Sequence, residues 1–146
     1  MTVAIIILAL IYHFYKTSYS TYFLTLKNAV VEWQKIETLL LIKGRSIQDI
    51  DNYKIAFNFF VENPTLYDGA TIVKDLEDLP RLDLDAMLHD FECIVFAKKN
   101  YKEWCKSAWR YFENMRKNGK GNQITRLIGI VIIGAFWLPY SKIKQL

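Results

Sequence analysis

Apolar residues crowd both ends of the chain and recur at helical spacing through its middle. The first 15 residues, from Met1 to Tyr15, carry no charged side chain. A bilayer-spanning helix takes about 20 apolar residues, with roughly 17 as a working minimum. The run is just short of that, but Tyr12, Phe14 and Tyr15 suit the headgroup level. It reads as an N-terminal membrane anchor, with a buried helix, or a strand over the β-branched residues 3–7, as the alternative. It lacks the leading basic residues and small cleavage-site residues of a secretory signal. A second apolar run, 127–140, lies between Arg126 and Lys142. Its length suits an interfacial or re-entrant segment as well as a span, or a core helix. Gly129 and Gly134 are five apart, so no GxxxG face forms.

Between these ends the pattern predicts four helices. Residues 21–42 bring Leu26, Val30, Trp33 and Leu40 or Leu41 near one face. Gly44 is the expected C-terminal cap. Ser46 with Asp49 opens the next helix, carrying Ile47, Ile50, Phe57 and Val61 to Asn63-Pro64. A strand over 55–61 is the competing reading there. Residues 63–83, punctuated by Pro64, Gly69 and Pro80, predict a loop. Asp83 caps a helix reaching about residue 99, with Leu84, Leu88, Phe91 and Val95 inward. A last helix over about 101–117 presents Trp104, Ala108, Tyr111 or Phe112, and Met115, and Asn118-Gly119-Lys120-Gly121-Asn122 breaks it. The expected fold is therefore mostly α: a small helical domain over 21–122, an apolar segment at 1–20 and another at 123–146.

Composition narrows the class. The 146 residues are 52% hydrophobic and 15% aromatic, which excludes a disordered or low-complexity chain. Two cysteines cannot staple a disulfide scaffold, and free thiols are the expectation. There is no CxxC, P-loop or G-x-S-x-G motif. The net charge of +4 hides a split: residues 46–97 hold eleven acidic and three basic groups, and residues 98–126 hold nine basic and two acidic. The basic stretch interleaves Lys98, Lys102, Lys106 and Arg110 with Tyr101, Trp104, Trp109 and Tyr111. Such a pattern suits anionic lipid, single-stranded nucleic acid, or pairing with the acidic block inside the fold. The adjoining apolar run, with Trp137, tips the balance toward lipid or internal pairing. If both apolar ends span, the flanking lysines and arginines place the centre in the cytoplasm; the alternative is a soluble virion component.

One constellation carries candidate chemistry. Asp68-Gly69-Ala70-Thr71 forms a loop, and His89-Asp90 follows within a helix. Neighbours on a helix diverge by about 100°, so His89 and Asp90 flank a pocket rather than pair. Asp85, four residues before His89, is placed to fix its tautomer, and a neutral histidine beside a carboxylate is a general-base arrangement. Asp90, Asp68 and the carbonyls around Gly69 suit a hard cation such as calcium.

The order Asp68-Gly69-Ala70-Thr71, Pro80, then Ala86-Met87-Leu88-His89-Asp90-Phe91 resembles a phage-borne family of unknown function, with a D-G-A-S-like turn and an A-x-x-H-D-[YF] helix. It is more distantly similar to the viral branch of the phospholipase A2 superfamily. That likeness implies His89 as base and Asp90 as calcium ligand, with carbonyls near Tyr67 and Gly69 completing the site. Trp109 stands where that group carries an orienting acid. The resulting expectation is a small phage accessory or virion protein acting by contact with membrane lipids or other phage proteins, its H-D site inactive. The alternatives are a calcium-dependent lipid or ester hydrolase and a holin-like lysis protein.

Overall fold

The computed structural model describes residues 21–67, 78–96, 100–121 and 123–132. Within them the chain is helical: α1 (Ala29–Ile42), α2 (Ile47–Glu62), α3 (Leu84–Val95), α4 (Tyr101–Lys117) and a further helix, α5, at 123–132. Short 3-10 turns lie at Phe23–Thr25 and Pro64–Leu66. The described residues contain no strand, so the stretch 55–61 takes its helical alternative; the only ladder contact among them is a bridge between Leu79 and Leu82. The mostly α expectation is met.

Local chemistry sets the boundaries. The first helix starts at Ala29, not at 21, because Asn28 is extended and its side chain accepts the Val31 N–H. The preceding turn instead plants Phe23 among aromatic rings, with centroids 5.5 Å from both Phe57 and Phe60 and 5.2 Å from Tyr67. Ser46 and Asp83 cap α2 and α3 as the pattern predicted. The third helix stops at Val95, short of 99.

Helices α1 and α4 end alike. Gly44 and Gly119 take φ of +68° and +71°, a conformation that glycine adopts without steric cost. The amides of Gly44 and Arg45 then bond back to Leu41 and Leu40, and those of Gly119 and Lys120 to Arg116 and Met115. Both are Schellman turns. Each aims the basic residue after its glycine inward, and Arg45 and Lys120 are both buried.

Packing proceeds in chain order: α1 against α2, α2 against α3, α3 against α4. The main core gathers Trp33, Ile36, Leu40, Tyr53, Phe57, Phe60, Tyr67, Leu84, Met87 and Phe91. A smaller cluster of Ala86, Tyr111 and Met115 takes Ile130 of α5. Val30, Ile47, Val61 and Val95, expected inside, are exposed, and of Leu40 and Leu41 it is Leu40 that is buried. Val30 and Val61 lie at the rim of their helices' apolar arcs, where a three-to-four-residue repeat does not separate inner from outer positions, and Ile47 and Val95 are terminal residues of theirs.

The last helix runs antiparallel to α4. Arg126 meets Tyr111, the Trp104 indole N–H donates to the Ile130 carbonyl at 3.0 Å, and the Tyr101 hydroxyl to that of Val131 at 3.3 Å. The start of the second apolar run is thus docked on the domain. No helix among the described residues is long and apolar enough to cross a membrane. The first apolar run, and residues 133–140 of the second, lie outside the described residues.

Candidate functional site

The densest chemistry is a buried charge network at the N-terminus of α3. A tight turn at Leu79-Pro80-Arg81-Leu82 delivers it, with Arg81 at φ +66°. Proline then left-handed residue is the type II pattern, where glycine usually supplies the positive φ. The turn brings Asp78 beside Asp83 and Asp85, and carboxylate oxygens of the three lie within 4.8 Å of one another. The Lys120 ammonium is among them, 2.6 Å from Asp78 Oδ2, 2.7 Å from Asp83 Oδ1 and 2.9 Å from Asp85 Oδ2. Lys43 bonds the other Asp78 oxygen at 2.8 Å, and Arg126 Nη1 lies 3.3 Å from Asp83 Oδ2. Three cations therefore face three carboxylates.

Neutral donors complete the network. Asp85 Oδ1 accepts from the Tyr53 hydroxyl at 2.7 Å and the Asn118 amide at 2.8 Å. The N–H of Leu84 donates to Asp78, and those of Asp85 and Ala86 to Asp83. Tyr111 accepts from Arg126 at 2.7 Å. Burial opposes every charge here, and the partners decide each outcome. Against desolvation, Lys120 and Lys43 hold the Asp78 carboxyl below its ordinary range. Against desolvation again, Asp85, Asp83 and Asp78 hold the Lys120 ammonium above the usual lysine value. The Tyr53 and Tyr111 hydroxyls are pushed up by burial, then by Asp85 and Asp83 respectively. A three-aspartate cup is a hard-cation donor set, but here the fold supplies its own cation from α4's C-terminus.

This arrangement changes the role expected for Asp85. Its carboxylate is committed to Tyr53, Asn118 and Lys120, and none of its bonds reaches His89. The reason is geometric: the first turn of α3 abuts α2 and the end of α4, and three donors converge there.

His89 sits in the α3–α4 seam, buried between the rings of Trp104 and Tyr111, with centroids 5.9 and 5.2 Å away. Cys93 Sγ is 3.4 Å from Nε2 and 3.9 Å from Nδ1. An in-line bond to Nε2 would put Nδ1 on the far side of the ring, so near-equal distances place the sulfur against the ring as a sulfur–aromatic contact. Asp90 Oδ1 is 3.7 Å from Nδ1, past hydrogen-bond reach. Cys93 and Cys105 are free thiols. Beside them, Ser107 donates to Glu92 Oε2 at 2.8 Å, and Arg110 Nε to Oε1 at 2.9 Å. Of the calcium set named from the sequence, Asp90 is described; Asp68 and Gly69 lie outside the described residues.

The basic stretch divides in two. Arg110, Lys120 and Arg126 turn to acidic partners within the fold, while Lys102, Lys106, Arg116 and Lys117 stay exposed. Lys98 and Trp137, also named as contact residues, lie outside the described residues. Sequence reasoning gave Asp83 only a capping role and did not single out Asp78, Lys43, Tyr53 or Asn118. The available signal was the pair Lys43-Gly44-Arg45 and Asn118-Gly119-Lys120, each a glycine stop followed by a basic residue that the turn directs inward.

The described residues thus define a small all-helical domain tied together by a buried ion network. Compared with known proteins, the chain matches no family model, no curated protein and no solved structure.

Proposed function

We propose that this is a small accessory protein that works by contacting a membrane surface, in the phage-type setting suggested by its D-G-A-T and H-D motifs. One observation carries the reading: a cluster of exposed apolar side chains at one pole of the molecule. Because α3 and α5 each run antiparallel to α4, the end of α3, the start of α4 and the end of α5 share that pole. Val95, Phe96, Tyr101 and Ile132 are there, between 44% and 60% exposed. In sequence the chain goes on from Ile132 into the apolar residues 133–140, with Trp137 and Tyr140, then Lys142 and Lys144. An apolar face with aromatic and lysine flanks is the composition of an interfacial anchor. The ring-on-ring packing of His89 favours this over hydrolysis with calcium, because a general base must reach a substrate or water.

Flotation of the full chain with phosphatidylcholine–phosphatidylglycerol vesicles tests the reading. The protein is expected to float with the vesicles, and the Phe96→Asp/Ile132→Asp variant to bind at least several-fold more weakly while keeping its helical circular dichroism. A wild-type chain that stays at the bottom of the gradient, or a folded variant that binds as well as wild type, overturns it.

A further inference from the structure

From the outer face of α4 we infer a second contact, a ridge that selects anionic phospholipid headgroups. The inference rests on the membrane reading above and adds the lipid class. Lys102, Lys106, Trp109 and Arg116 recur at spacings of four, three and seven, and so share one face of the helix. All four are exposed, Trp109 by 53%. The buried face of the same helix is Ser107, Ala108, Tyr111 and Met115. Across α4, five basic residues stand against Glu103 and Glu113. Arg110 is bound to Glu92, and Lys106 lies 2.7 Å from Glu103, the lysine exposed and the glutamate half-buried. Lys102, Arg116 and Lys117 are left without a carboxylate among the described residues.

Charge complementarity and continuity identify the occupant. Exposed lysines beside an anionic leaflet attract it, each adding to affinity within a Debye length. A tryptophan among them suits the headgroup layer, where its ring is half-apolar and its N–H is wet. The ridge also begins at Lys102, next to Tyr101 of the apolar pole, so a single tilt of the molecule brings both to one surface. Single-stranded nucleic acid fits less well. It needs a series of free aromatic faces, whereas Trp109 is covered on one side by Phe112 at 5.2 Å, and Tyr111 is buried.

The test compares the full chain on pure phosphatidylcholine vesicles and on vesicles one quarter phosphatidylglycerol, at low and high salt. The anionic vesicles should bind about tenfold tighter or more, and salt should erode the difference. In Lys102→Glu/Lys106→Glu the preference should collapse with thermal stability retained, and Trp109→Ala should weaken anionic binding while keeping its salt dependence. Equal binding to both vesicle types sinks the ridge and leaves the membrane reading standing. Undiminished preference in the double variant also sinks it. Tighter binding to an oligonucleotide than to anionic vesicles at equal salt replaces lipid with nucleic acid, and no binding to either vesicle removes both readings.

Discussion

Lys120 shows how one side chain can be read three ways until its neighbours are known. In sequence it belongs to a basic run beside a glycine stop, and lipid, nucleic acid and internal pairing all suit it. In the fold its ammonium touches three carboxylates and is nearly buried. Breaking a buried pair leaves uncompensated charge, at a cost of about 3–5 kcal/mol. Lys120→Met should therefore lose about that much stability in urea titration, more than Lys102→Met on the surface. The network also sets a pH window. Asp78 titrates below its ordinary range, so its contribution is full above about pH 4 and is lost as pH falls through the depressed value. Lys120 titrates above its ordinary value, so its contribution is full below about pH 10 and is lost as pH rises through the raised one. Melting temperature should plateau between these limits and fall on the acid side. That acid limb should be shallower in Lys120→Met, where Asp78 has lost its strongest partner.

At the level of elements, glycine stops and side-chain caps were easier to anticipate than helix faces. Gly44 and the break at residues 118–122 were legible because the left-handed conformation favours glycine so strongly. Gly119→Ala tests this: a Cβ there meets nothing within 4 Å, so the cost is conformational alone, about 1–2 kcal/mol. A Gly119→Ala melting curve indistinguishable from wild type would contradict it. The start of α1 was hidden because Asn28, the true cap, lies within a stretch whose apolar spacing continues on both sides. The inward faces were half legible. Ile50, Phe57, Leu84, Leu88 and Phe91 went inside as their spacing suggested, but Ile47 and Val95 did not. Periodicity gives a direction, and the neighbouring helix decides how wide an arc is covered.

On the scale of the whole molecule, one polar knot and one aromatic core hold the described residues together. The knot joins the end of α1 through Lys43, α2 through Tyr53, α3 through its first turn, α4 through Asn118, and α5 through Arg126. Arg126→Met should therefore loosen α5 first. Hydrogen exchange should show faster exchange at 123–132 with α2 little changed, and uniform acceleration would instead mean that the knot acts only on global stability. The sequence alone determined the helical class, the stops of α1, α2 and α4, the capping of α2 and α3, and the acidic–basic split, because spacing, capping and glycine conformation act over a few residues. It also brought His89 and Asp85 to notice, but not their partners. The tertiary structure alone decided that Asp85 serves Lys120 and not His89, that the histidine packs between rings, and which basic residues face solvent. Those outcomes depend on groups as far as 43 positions apart in the chain, and a charge or a ring takes its role from whatever the fold brings within a few ångströms of it.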